Sequence, residues 1–274
     1  MKYVAYLDIL GFKERLKNLE HQLAKKFISD FASTIYNSWV SNPEYETYLE
    51  GFIVSDSFII NTKNSSVDSL HSLLDAIVDV CQSEFLQHGV ILRGGIAKGE
   101  YNKLQAKELK YLGKGLIVGQ AYIDAYLLEG TIKTIGTVVS EEVYEDILAS
   151  NIDIVSRVFE ENIGNEKKYI LSSFPLDFLN EKKNLEKFVT LAVSSGWLPH
   201  YYNALYFSMK NESGSVVNIL FDNIFKILSG DSYSENWRNV DKFIKGAFNE
   251  SVFRHFQTRF LTYLRSRIFS EEKG

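Results

Sequence analysis

Cysteine is nearly absent: Cys81 is the only one among 274 residues. An internal disulfide is therefore excluded, and the reducing cytosol is the compartment that such usage fits. No stretch reaches the ~18 uninterrupted apolar residues that a membrane span requires, so direct membrane insertion is not expected. The chain opens on strand-like residues, Lys2 to Leu7, without a basic region, apolar run and small-residue cleavage site, so no secretion signal is expected. A basic excess is missing as well. The net charge of −5 excludes the broad positive surface that general nucleic-acid binding needs. The five histidines, His21, His71, His88, His200 and His255, share no short-range ligand spacing, and none is assigned to a metal or to catalysis. There is no Walker-type glycine loop, no GxSxG elbow, no internal repeat and no low-complexity tract.

What is present is core-forming material: 45% of the residues are hydrophobic and 14% aromatic, enough for one large domain or a domain with an appendage. Residues 2 to 9 read as a buried strand. Leu16, Leu19, Leu23, Phe27, Phe31, Ile35 and Trp39 then recur at the spacing of one helix face, which Asn42 and Pro43 stop. Tyr45 to Val54 and Phe58 to Thr62 read as a hairpin with Ser55, Asp56 and Ser57 at its tip. A second helix is predicted from about Ser66 to Leu86 with Gly89 ending it, then a strand from Val90 to Tyr101 and a helix from about Ala121 to Leu128. A short strand (Thr137 to Ser140), a helix (Glu141 to Leu148) and a closing hairpin around Val155 to Phe159 and Lys168 to Ser172 follow. The order β, α, β, β, α, β predicts an α+β protein of the ferredoxin-like αβ sandwich type. Beyond Pro175 the pattern turns helical. Ile244, Phe248, Val252, Phe256, Phe260, Leu264 and Ile268 recur at spacing four with arginines between them, a stripe that is usually a core or dimer face. The expected organisation is a domain over residues 1–175 and a helical C-terminal extension over 176–274.

Two aspartates interrupt this pattern where chemistry has use for them. Asp8 breaks an otherwise apolar strand, where an unpaired buried carboxylate is costly, and Asp56 stands at the hairpin tip. Hard carboxylate oxygens on adjacent strands can hold a pair of divalent ions roughly 4 Å apart, and Gly11 lets backbone N–H groups approach a phosphate. Each aspartate alone has an ordinary alternative, a turn cap or an arginine partner.

Their surroundings narrow the choice. Tyr6-Leu7-Asp8-Ile9-Leu10-Gly11-Phe12 resembles the Phe-x-Asp-Ile-x-Gly-Phe signature of class III adenylate and guanylate cyclases. Val54-Ser55-Asp56-Ser57 looks like that family's hairpin, which ends in Gly-Asp. Leu92-Arg93-Gly94-Gly95-Ile96-Ala97-Lys98-Gly99-Glu100 is similar to its Val-Arg-x-Gly-Ile-x-x-Gly-Glu strand, and Gly119-Gln120-Ala121 with Ala125, Leu128 and Glu129 resembles the opening of its late helix. The resemblance covers about residues 1 to 175. It implies a ferredoxin-like αβ sandwich of the nucleotidyl cyclase type, two Mn²⁺ or Mg²⁺ ions per active site held by Asp8, Asp56 and the Ile9 carbonyl, and phosphate contacts from Gly11, Phe12 and Lys13. It also implies a homodimer with active sites at the subunit interface.

The departures from the family pattern carry information of their own. Phe52 and Leu116 fall where purine cyclases place base-reading polar residues, and the loss of two polar contacts together with the bulk of Phe52 favours a smaller pyrimidine. That pattern resembles the pyrimidine cyclases of Pycsar antiphage systems, which implies a cytoplasmic uridylate or cytidylate cyclase making cyclic UMP or cyclic CMP for a separate effector. Ile123 and Leu127 occupy the positions of the family's transition-state asparagine and arginine. Arg93, Lys98, Lys114, Lys167 and Lys168 are candidate replacements, with Arg93 expected to be catalytic and Lys168 to bind the triphosphate. The alternatives are a catalytically inactive nucleotide-binding or dimerisation module and a purine cyclase with altered contacts.

Overall fold

Lys2–Ile9 form strand β1 in a computed structural model that describes residues 1–104, 116–150, 152–230, 239–240, 243 and 254–271. Two units are distinguished: Met1–Ile132 with Gly136–Ser173, and Lys133–Ile135 with Phe174–Gly274.

The first unit is an α+β sandwich. Strands β2 (Leu49–Val54), β3 (Ser57–Thr62), β4 (Leu92–Gly99), β7 (Gly136–Val139), β8 (Val158–Ile163) and β9 (Glu166–Leu171) join β1 in a seven-stranded sheet of order β2-β3-β1-β4-β7-β9-β8. Its β2-β3-β1-β4 half is antiparallel throughout, with helices leading from β1 towards β2 and from β3 to β4, which is the ferredoxin-like arrangement. The β4–β7 pair is parallel. β1 is covered on both faces. Tyr3, Ala5, Leu7 and Ile9 join the core beneath helices α2 (His21–Ser41) and α4 (Val67–His88), whereas Val4 packs with Ile59, Tyr101 and Ala121 on the opposite side, next to α5 (Gln120–Glu129). The two-residue period of a strand therefore puts Asp8 on the face of Val4 and Tyr6. Strands β5 (Asn102–Leu104) and β6 (Leu116–Val118) form a separate ribbon, and α6 (Glu141–Ser150) follows β7.

Three local expectations need correction. The first predicted helix is two, α1 (Phe12–Lys17) and α2, separated at Asn18–Glu20. Residues 45–48, expected to be strand, belong to helix α3 (Pro43–Tyr48). The Asn42 side chain accepts from Glu44 N at 3.2 Å, Pro43 stands at the first turn, and Glu44 and Glu46 complement the helix start. These start signals outweigh the strand preference of Tyr45 and Tyr48. The stretch at 153–157 is a 3-10 turn, so the closing hairpin begins only at Val158.

The second unit is helical: α7 (Leu176–Asn180), α8 (Lys182–Ser194), α9 (Leu198–Met209), α10 (Gly214–Ser229) and α11 (Arg254–Glu271). Phe260 and Leu264 of the apolar stripe are buried here, the Phe260 ring 4.5 Å from that of Phe221, so this part of the stripe is core. Ile244, Phe248 and Val252 lie outside the described residues, as do the side chains of Phe256 and Ile268. Among the described residues, no helix is long and apolar enough to cross a membrane.

Candidate active site

Strand pairing assembles the site around Asp8. Asp8 lies opposite Ser57 of β3 on one side and Arg93 of β4 on the other. Ile9 N–H donates to the Asp56 carbonyl at 3.2 Å, which ties the segments carrying the two aspartates together by their main chains. The turn between β2 and β3 has two residues, and Ser55 takes φ 58°, a left-handed value at the position where a hairpin of this length usually carries glycine. Ser55 stands where the resembled family has that glycine.

Ser57 Oγ donates to Asp8 Oδ1 at 3.1 Å and lies 2.7 Å from the Tyr6 hydroxyl, so a relay Tyr6–Ser57–Asp8 orients the carboxylate. Burial pushes the Asp8 carboxyl up to about 6, the charges of Asp56 and Glu129 push in the same direction, and Ser57 and Arg93 oppose them. The site thus holds more negative charge than its own cation balances. Such a donor set fits a divalent ion, which favours deprotonated carboxylates and takes one or two of them, with water and substrate phosphate as its remaining ligands. Among the described residues, no group of three or more His, Cys, Asp or Glu side chains is placed to hold a metal ion. Asp8, Asp56 and the Ile9 carbonyl are the groups that the sequence resemblance expects to hold Mn²⁺ or Mg²⁺.

A cleft of about 880 Å³ opens beside Asp56, lined among others by Tyr6, Phe52, Ser57, Lys103, Ile117 and Tyr122. Phe52, Tyr6, Ile117 and Tyr122 pack against Val4, Ile59, Tyr101 and Ala121, which gives the cleft an apolar, aromatic floor. Gly11, two residues beyond the end of β1, takes φ 75° and caps the start of α1, where Arg15 N donates to its carbonyl at 3.0 Å. Lys13 is exposed. Phe12 packs on the core, its ring 6.2 Å from that of Phe27, so only its main chain is available to a phosphate. Leu116 lies in β6, its side chain outside the described set, and Lys114 lies outside the described residues.

The basic candidates are mostly engaged. Arg93 forms an ion pair with Glu129 on α5. Lys98 bridges Asp146 at 2.8 Å and Glu142 at 3.4 Å. Lys167 pairs with Glu160 across the β8–β9 hairpin and Lys168 with Glu166 on its own strand, and neither lysine lines the cleft beside Asp56. Ile123 and Leu127 are exposed on α5. Sequence reasoning missed Tyr6, Ser57, Glu129 and Lys103. Alternation along β1 places Tyr6 beside Asp8, which was the available signal for one of them; the others depend on strand register and on how α5 and β5 pack.

No protein-family model and no curated protein matches the chain. Solved structures to which it is similar include the adenylyl cyclase CyaB from P. aeruginosa, with 13% identity, 62% of this chain and 92% of that chain covered, and a TM-score of 0.48. Another is the guanylate cyclase domain of RhGC from Catenaria anguillulae in complex with GTP, with 14% identity, coverages of 62% and 94%, and a TM-score of 0.44. A third is a bacterial light-regulated adenylyl cyclase, with 10% identity, coverages of 63% and 90%, and a TM-score of 0.45.

Proposed function

We propose that the chain is a cytoplasmic pyrimidine nucleotide cyclase, converting UTP or CTP to the 3′,5′-cyclic monophosphate and pyrophosphate. The observation that carries this reading is the approach of Asp8, near the end of β1, to Asp56, in the β2–β3 turn, the two segments being joined through Ile9 N–H and the Asp56 carbonyl, beside a cleft with an aromatic floor. In the reaction the ribose 3′ oxygen bonds to the α-phosphorus, the bond from that phosphorus to the bridging oxygen of the β-phosphate breaks, and the hydroxyl proton passes to solvent. Bound Mn²⁺ or Mg²⁺ ions would lower the pKa of the attacking hydroxyl and neutralise the leaving pyrophosphate. The chain's own part is positional. Asp8 and Asp56 offer hard oxygens, Ser57 and Tyr6 hold the Asp8 carboxylate in one rotamer, and the main chain at Gly11 to Lys13 offers N–H donors to the phosphates. Phe52 narrows the base subsite. The proposal includes a homodimer and, on the resemblance to Pycsar cyclases, a product that activates a separate antiphage effector.

Purified protein with Mn²⁺ and an equimolar mixture of the four ribonucleoside triphosphates is expected to yield cyclic UMP or cyclic CMP by mass analysis, and Asp56→Ala to yield none. A cyclic purine product would overturn the pyrimidine assignment, and no product from any nucleotide would refute the catalytic one. A second reading, a nucleotide-binding module without turnover, is favoured by the exposed apolar side chains of Ile123 and Leu127, which cannot donate to a transition state. Its signature is triphosphate binding with no product.

A further inference from the structure

Lys103 is the only cation among the described residues lining the cleft beside Asp56. It lies on β5 opposite Ile117 of β6, and its ammonium stands 5.5 Å from the centre of the Phe52 ring. Lys98, Lys167 and Lys168 are each paired with carboxylates; no ion pair joins Lys103 to a carboxylate among the described residues. Its contact with Phe52 is a cation–π contact, a weak tie at an exposed site, which leaves the ammonium's hydrogen-bonding capacity open towards the cleft. An apolar floor of Tyr6, Phe52, Ile117 and Tyr122 suits a flat ring, and Lys103 stands at the edge of that floor.

We infer that Lys103 reads the base and selects uracil over cytosine. The inference deepens the proposed reading, because it rests on the cleft being a nucleotide site. An ammonium has three donors and no acceptor. Facing a carbonyl oxygen at position 4 of uracil, it gains a charge-assisted hydrogen bond. Facing the amino group that cytosine carries at the same position, it meets donors with a donor, and both lose water without a partner. A phosphate contact from Lys103 would be blind to the base. Base discrimination is therefore the property that separates the two roles.

The test is equilibrium binding of UTP and of CTP, measured by calorimetry with Mn²⁺ on the full chain, for wild type, Lys103→Met and Lys103→Arg, with product analysis run in parallel. Wild type is expected to bind UTP about tenfold or more tightly than CTP, the scale of one charge-assisted hydrogen bond. Lys103→Met, which keeps the stem that covers Phe52, is expected to weaken UTP alone and bring the two affinities together. Lys103→Arg is expected to retain the preference. Equal weakening of both nucleotides, an unchanged ratio, or binding of neither would overturn the inference. A uracil preference that depends on Lys103 without any cyclic product would uphold the inference and refute the cyclase reading alone.

Discussion

Glu84 is a carboxylate on the apolar side of α4, three residues after Cys81, and its side chain is fully buried. Burial pushes its pKa from 4.5 up to about 8; Asp30 adds to the rise, while the Thr34 hydroxyl and Arg15 oppose it. The folded chain therefore holds this proton more tightly than the unfolded chain does. The stabilisation is fully present below about 4.5 and is lost as pH rises through about 8. Across that window Glu84 lowers stability by at most ~1.4 kcal/mol per pH unit. Denaturant midpoints measured along this window are expected to fall for wild type relative to Glu84→Gln, with the variant the more stable at the alkaline end. A difference between the two chains that does not change with pH would contradict the assignment. Glu84 shows how the sequence can hide a residue's situation. The stripe of Leu70, Leu74, Ile77 and Cys81 marks the buried face, but a glutamate at the next position on that face gives no sign of whether it reaches water or stays inside.

At the level of elements, α5 seats against β1 and β4, and of the two adjacent glycines of β4 it is Gly95 that meets the helix, whereas Gly94 packs on β1. A Cβ on Gly95 would overlap the Ala125 carbonyl oxygen and press against Leu128, and one on Gly94 would overlap the Tyr6 carbonyl oxygen. Helix backbone and strand backbone are thus in direct contact, and α5 carries Tyr122 to the cleft and Glu129 to Arg93. Gly95→Ala is expected to cost about 1–3 kcal/mol, the range of an overpacked core, and to lower activity by displacing Tyr122 and Glu129. Thermal unfolding and product analysis on the same sample check both, and an unchanged midpoint would show that α5 does not sit as described. The alternation of periods 2 and 3.6 made the order of the main strands and helices legible in the sequence, since the central strands and the long helices each bury at least one face. The six-residue α3 was not legible, because Tyr45 and Tyr48 have strand preferences and only Asn42, Pro43, Glu44 and Glu46 mark a helix start. The motifs made Asp8 and Asp56 legible as candidates. The partners of Asp8 were not: Ser57 and Arg93 reach it through strand register, and Glu129 through the packing of α5, all long-range facts that no local pattern encodes.

For the whole molecule, the informative surface is the outer side of α5, where Ile123, Tyr126 and Leu127 are 47%, 53% and 61% exposed. Three large apolar side chains on one ten-residue helix form the kind of patch that a partner surface covers. The same helix touches the site, since the Tyr126 ring meets the Tyr6 ring edge-on at 5.2 Å, and Tyr6 leads through Ser57 to Asp8. A second copy seated on α5 would therefore restrict Tyr126 and Tyr6 together, which makes assembly and catalysis one event in the proposed homodimer. Ile123→Glu with Leu127→Glu is expected to leave folding intact, because both positions face water in the single chain. In an interface, by contrast, each carboxylate would lose its water without gaining a partner. Sedimentation at micromolar concentration is expected to give a dimer for wild type and a monomer for the double variant, with cyclic product lost in parallel. A double variant that stays dimeric, or a monomer that retains full turnover, would separate α5 from assembly and require the acids of β1 and the hairpin tip to act within one chain.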